Sequence, residues 1–257
     1  MPLSFKMIGL LLSLSFYFIP TSTAQITLRQ TNDEHDTRLW VGLQYKHSFS
    51  KAWSMQIDLQ TRLKEHLSVL DRGLLDLSFS YQHPKNKVLK LFKFETGARF
   101  FTINDIQGNK QGPKFGYRLY GSITLKKSWK RLAFAYRFQY QNQTVIPRYF
   151  DGEAELWEQE QTLRNRISLG YNFKKWKLDP EITAGIFFPL EQADNQGFSR
   201  LRLGLGTKYK INKHHLLKFR LIYQQSLGIT TTERDFILAI IYQYNTKAKK
   251  KKKKKKK

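Results

Sequence analysis

The sequence predicts an all-β fold: a transmembrane, antiparallel, up-and-down β-barrel of about 12 strands, with about 10 as the alternative count. Three observations lead there. From Arg38 to Asn245 apolar and polar side chains alternate with a period of two, as successive residues of a strand with one greasy and one wet face must. The connections between these runs alternate between short and long, as the two rims of a bacterial outer-membrane barrel do. Aromatic residues gather where the apolar faces meet the short connections, the position of an interfacial girdle.

Before the first alternating run stands a different kind of segment. Lys6 precedes an apolar run from Met7 to Ile19, followed by small residues at Ser22 and Ala24. This is the pattern of a secretory signal peptide over residues 1–24, and the run falls short of the roughly 20 residues that a spanning helix needs. The expected domains are therefore a signal peptide at 1–24, one barrel at 25–246 and a lysine-rich tail at 247–257. The chain has no cysteine, which excludes disulfides, thiolate metal sites and a cysteine nucleophile. Its formal net charge is +25; Lys6, Lys247 and the Lys249 to Lys257 run supply eleven of these charges, so a basic bias remains without them.

Eleven alternating runs lie near 38–49, 53–64, 72–82, 89–103, 115–126, 131–142, 162–173, 177–188, 199–211, 215–225 and 234–245. Short connections follow Phe49, Gln82, Lys126, Phe173 and Ile211; longer ones are KEHLSVL, INDIQGNKQGPK, NQTVIPRYFDGEAELWEQ, EQADNQGF and SLGITTTE. The first run then descends toward the short-turn rim, so a chain that starts in the periplasm needs one more ascending strand. QITLRQ, residues 25–30, is the candidate, and it brings the count to the expected even number. An eleven-residue strand tilted near 40° rises roughly 27 Å, enough for an outer-membrane hydrocarbon layer.

The greasy faces carry residues such as Leu59, Phe79, Leu203 and Leu238, and the opposite parity carries Gln60, Ser78, Gly204 and Ala239. A soluble barrel of this size would have to fill a wide interior with the greasy set, whereas filled barrels have about eight strands; the greasy face is therefore assigned to lipid. The girdle comprises Tyr45, Phe49, Trp53, Tyr81, Tyr171, Phe173, Tyr209, Tyr242 and Tyr244. On the wet face, a basic ring of Arg62, Arg99, Arg118, Arg164, Arg166, Arg200 and Arg202 lies toward the long loops. Lumen acids are fewer: Asp58, Asp179 and Glu181 nearer the short turns, Asp76 and Glu95 near the middle.

The stretch SRLRLGLGTKYKINKHHLLKFRLIYQ, with RNRISLGYNF before it and DFILAIIYQY after it, resembles a family of Gram-negative outer-membrane barrel proteins of unknown function. The resemblance implies location and architecture and carries no chemistry. The final strand, with Phe236, Leu238, Ile240, Tyr242 and Tyr244 in register, also looks like the signal read by the barrel-assembly machinery, although lysines follow it here.

Of the six histidines, His214 and His215 are adjacent and point apart in extended chain, a poor metal pair; all six are read as turn histidines, and no metal or cofactor is expected. No G-x-S-x-G motif occurs, so an outer-membrane lipid-modifying enzyme is the least favoured function. Asp151, Glu153, Glu155, Glu158 and Glu160 form an acidic loop without calcium-loop spacing, read as solvated or as folding inward against the arginines. The lysine run has nothing apolar to bury and is expected not to fold. The expected function is a narrow outer-membrane channel with a basic extracellular mouth for small anionic solutes, the alternative a closed structural or surface-interaction barrel. Expected partners are outer-membrane lipid, lipopolysaccharide and the assembly machinery, with no nucleic acid.

Overall fold

The computed structural model describes residues 33–106, 111–150, 153–154, 156–174, 176, 178–190, 198–226 and 232–247. Its strands are β1 (Asp33–Ser48), β2 (Trp53–Lys64), β3 (Val69–Gln82), β4 (Phe92–Asp105), β5 (Gly112–Trp129), β6 (Leu132–Val145), β7 (Tyr149–Phe150), β8 (Glu153–Ala154), β9 (Glu158–Tyr171), β10 (Glu181–Pro189), β11 (Arg200–Lys210), β12 (His215–Ser226) and β13 (Thr232–Lys247). The two-residue β7 and β8 pair only with each other. The other eleven form one closed barrel in the order β1-β13-β12-β11-β10-β9-β6-β5-β4-β3-β2.

Every predicted run is one of these eleven strands, but the count of about 12, like its alternative of about 10, is corrected to 11 among the described residues. The reason is parity. Each antiparallel step reverses direction, so in an odd-numbered barrel the first and last strands run the same way. β1 and β13 accordingly pair in parallel, from Asp33↔Thr232 to Ser48↔Lys247. Both edges of β1 are taken, by β2 and β13, which leaves no edge for a twelfth strand between the ends. QITLRQ, like the signal segment and residues 248–257, lies outside the described residues; Lys247, assigned to the tail, is the last residue of β13.

Two connections also differ from expectation. The KEHLSVL segment contains a tight turn at 65–68, where Glu65, His66 and Leu67 all have positive φ (52°, 54° and 71°). Asp36 makes it possible by accepting the Glu65 and His66 backbone N–H groups at 3.1 and 3.0 Å, while Arg38 Nε donates to the same carboxylate at 2.9 Å. Burial alone would raise the Asp36 carboxyl; the two backbone bonds and Arg38 outweigh it and hold it below the usual range. A carboxylate lowered in this way stabilises the fold above its unfolded titration range, and that contribution is lost as pH falls through the lowered value. On the opposite rim, 83–91 is no short turn: it includes a 3-10 turn at Leu89–Leu91, and His83 Nδ1 accepts from the Asn86 N–H at 2.9 Å.

Side chains alternate across the wall as the sequence requires. Leu59, Phe79, Leu203 and Leu238 are exposed outward at 51, 53, 43 and 39 %, whereas Ser78 and Ala239 of the opposite parity are 5 and 2 % exposed. Among the girdle residues at the short-turn rim, three pairs of rings meet: Trp53–Tyr81 at 4.8 Å, Tyr171–Phe173 at 4.7 Å and Tyr45–Tyr244 at 6.1 Å. At the same rim His47 meets Thr246 across the parallel seam, Nδ1 to Oγ1 2.6 Å. No helix among the described residues is long and apolar enough to cross a membrane.

The outer wall is not uniformly apolar. On β6 and β9 the outward parity includes Asn142, Gln159, Gln161 and Asn165, and each amide is paired: Tyr136 Oη donates to Asn165 Oδ1 at 2.6 Å, Tyr140 Oη to Gln161 Oε1 at 2.8 Å, and Gln159 Nε2 to Asn142 Oδ1 at 3.3 Å. Asn165 sits midway along β9, at a depth where surrounding lipid would offer no replacement partner. Tyr136→Phe is expected to cost about 1–2 kcal/mol, the penalty of one orphaned acceptor. Urea unfolding of detergent-solubilised protein checks it; an unchanged midpoint would place water at this depth.

Candidate functional site: the barrel lumen

The inward parity of all eleven strands encloses a cavity of about 350 Å³. Ten cationic side chains line it against three carboxylates, Asp58, Asp76 and Glu95. Arg62, Arg99, Arg118, Arg164, Arg166 and Arg202 of the sequence-assigned ring are among the ten; Arg200 flanks them on Phe187. Asp179 is not in the lumen wall but at the short-turn rim, held by Asn172 at 2.8 Å and Lys210 at 3.1 Å.

The lumen divides by how its charges are paired. Toward the short turns Glu95 accepts Lys93 and lies 3.7 Å from Arg137, and Glu181 holds Lys208 at 2.7 Å and Arg220 at 3.3 Å. Asp58 accepts Gln56 Nε2 at 2.8 Å, and Lys218 donates to Gln44 beside it. Higher up the pairing is mixed: Arg38 holds the buried Asp235 at 3.0 Å and Arg72 holds Asp71 at 2.9 Å, while three ring arginines have neutral partners. Arg62 Nε donates to Gln60 at 2.9 Å, Arg118 Nε to Gln143 at 3.1 Å and Arg202 Nε to Gln224 at 3.1 Å. Among the described residues Arg99 alone of the assigned ring is ion-paired, to Asp76 at 2.8 Å. The buried Nε atoms of Arg164, Arg166 and Arg200 have no hydrogen-bond partner, and among the described residues none of the three lies in ion-pair range of a carboxylate.

Two aromatic side chains organise these arginines. On β10 the parity that points Glu181, Thr183 and Gly185 inward also turns Phe187 into the lumen, directly opposite Arg164 on β9 and Arg200 on β11. The guanidinium carbons of Arg164, Arg202 and Arg200 lie 4.7, 5.1 and 5.6 Å from its ring centre. Trp40, inward on β1, carries Arg62 at 3.9 Å and Arg202 at 5.3 Å, so Arg202 bridges the two rings. Three charges around one ring stand within about 11 Å of one another, and at an effective dielectric near 20 each pair repels by at least about 1.5 kcal/mol. Each ring contact returns about 0.5–2 kcal/mol. The rings therefore offset the repulsion at best, and the Nε–H groups of Arg164 and Arg200 are left without a protein acceptor. Elsewhere the ladders place Arg62 opposite Arg72, Arg99 opposite Arg118 and Arg137 opposite Arg166, and in each pair one arginine has a carboxylate: Arg72 has Asp71, Arg99 has Asp76 and Arg137 has Glu95.

Of the acidic loop, the side chains of Asp151, Glu153 and Glu155 lie outside the described residues, Glu158 is 3.8 Å from Lys114, and Glu160 accepts Thr162 Oγ1 at 3.0 Å. No group of three or more metal-ligating side chains occurs among the described residues. Sequence reasoning missed Trp40, Phe187, Arg137, Arg220, Lys93 and Lys218. Their signal is parity: Trp40 shares the inward phase of Gln44, and Phe187 that of Glu181.

A family model described as "Protein of unknown function (DUF2490)" matches residues 37–234, from β1 to the start of β13. The chain belongs to the DUF2490 family. Every cavity-lining arginine of this DUF2490 protein lies inside the matched span. No curated protein matches the chain. A solved structure of the NanC porin, in a rhombohedral crystal form, is similar at a TM-score of 0.44 and 9 % sequence identity, over 73 % of this chain and 86 % of that one.

Proposed function

We propose that this DUF2490 barrel is an exported outer-membrane protein of a Gram-negative cell, and a narrow channel that passes small anions such as carboxylates or acidic sugars. The observation that carries the reading is the excess of ten lumen cations over three carboxylates inside a wall whose outward side chains are mainly apolar. A low-dielectric wall focuses such a field along the lumen and raises the local concentration of anions. Lipid and lipopolysaccharide are its surroundings in this reading, and the barrel-assembly machinery inserts it.

A closed barrel is the second reading, favoured by the apolar side chains buried inside: Trp40 with Ile237 and Ala239, and Leu74 with Phe101 and Val145. Planar-bilayer recording separates the two. The expected result is conductance with chloride preferred over potassium; a cation-selective pore overturns the proposal, and absence of conductance favours the closed barrel.

The wall assignment has its own test. In outer-membrane fractions, single cysteines at Gln60, Ser78 and Ala239 should react with a water-soluble thiol reagent, and those at Leu59, Phe79, Leu203 and Leu238 should not. Gly204 is unsuited to the first set, because a Cβ there would stand 2.6 Å from Thr183 Oγ1. Equal labelling of both sets would overturn the lipid-facing assignment.

A further inference from the structure

We propose that the arginine cluster around Phe187 is a saturable binding site for a divalent oxyanion, gripped by Arg164, Arg200 and Arg202; the proposal rests on the anion-channel reading and names what this stretch of the lumen selects. Charge balance along the lumen is local. Below, Glu95 and Glu181 pair with the lysines and arginines around them. At Phe187 none of the three arginines has a carboxylate partner among the described residues, and the Nε atoms of Arg164 and Arg200 are buried without any acceptor. That half of the lumen is complementary to charge arriving from outside.

The shape of the site says which charge. Each guanidinium over the ring carries coplanar pairs of N–H donors; Gln224 takes one such pair of Arg202, and Arg164 and Arg200 have no acceptor at Nε. Such a pair fits two oxygens of one carboxylate or phosphoryl group, whereas a halide offers a single centre. Three guanidinium groups around one point favour a ligand with two negative charges over one. Phe187 is a positioning residue: it touches the arginines and fixes their planes. Arg202 is fixed further by Gln224, which donates to the buried Asp235 at 2.7 Å.

The experiment measures chloride conductance of the purified full-length protein at constant ionic strength while succinate, inorganic phosphate or propionate is added. Succinate and phosphate should reduce conductance along a saturation curve, with propionate needing roughly tenfold more for the same effect. Phe187→Leu removes the ring that the three guanidinium groups share without removing a charge, so it should raise the succinate midpoint by roughly fivefold or more. Arg200→Gln should raise the midpoint as well, and a heat-modifiable folded band on gels certifies each variant. Tighter succinate than phosphate identifies a carboxylate solute, and the reverse a phosphorylated one. Chloride preference without saturation, or a midpoint unmoved by both substitutions, overturns the site and leaves the channel standing; loss of chloride preference in the parent protein overturns the channel instead. In a barrel that does not conduct, titration calorimetry with succinate decides the site, and absence of binding heat overturns it.

Discussion

Replacing Arg164, Arg166, Arg200 and Arg202 together by glutamine lowers the chloride-over-potassium permeability ratio by at least about tenfold. The estimate takes the weakest plausible coupling: a fixed charge about 8 Å from a permeating ion contributes roughly 0.5 kcal/mol even in bulk water. Four such charges sum to about 2 kcal/mol for the anion, with an opposite change for the cation, and every 1.4 kcal/mol is tenfold. These four are chosen because no carboxylate neutralises them among the described residues. Removing Arg220 or Arg137 instead would free Glu181 or Glu95 as well and confound the measurement. Reversal potentials under a salt gradient give the ratio, and the wild-type preference should weaken toward 1 M salt, where the screening length falls to about 3 Å. Selectivity unchanged by the four substitutions would sink the proposal that these arginines set it.

Most of the wall was legible because period-two alternation is a property of each strand alone. The eleven runs, their inward and outward faces, the girdle and six cavity arginines all follow from parity. What parity could not give depends on relations between strands. Closure of β1 on β13 in parallel is decided by where the two ends meet, and no residue of either strand announces it; an assumed even count took its place. The stacking of Arg164 and Arg200 on Phe187 depends on register across β9, β10 and β11. The left-handed turn at 65–68 rests on Asp36, some thirty positions away in the chain, so KEHLSVL read as a loop.

Register also produces the node on which the second large effect depends. Asp76 on β3 faces Arg99 on β4 and stands opposite Asp58 on β2, so two carboxylates meet across one ladder. Asp76 is the more enclosed, at 4 % exposure, and it accepts Arg99 Nε at 2.8 Å and Tyr120 Oη at 2.7 Å. Tyr120 reaches it by lying across Gly97, where a Cβ would come within 2.5 Å of the phenol oxygen and 2.6 Å of the Leu77 carbonyl. Asp76→Ala should therefore destabilise the barrel by about 3–5 kcal/mol, since it strands Arg99 beside Arg118 with no counter-charge. Tyr120→Phe removes only the phenol donor and leaves Arg99 on Asp76, so its cost should be smaller, about 1–2 kcal/mol. Urea unfolding in detergent, followed by loss of the heat-modifiable band, ranks the two. A cost below about 0.5 kcal/mol for Asp76→Ala would mean that bulk water reaches this level and screens Arg99. Arg99 would then be a free member of the basic ring, and the lumen wider and wetter at mid-height than its side chains imply.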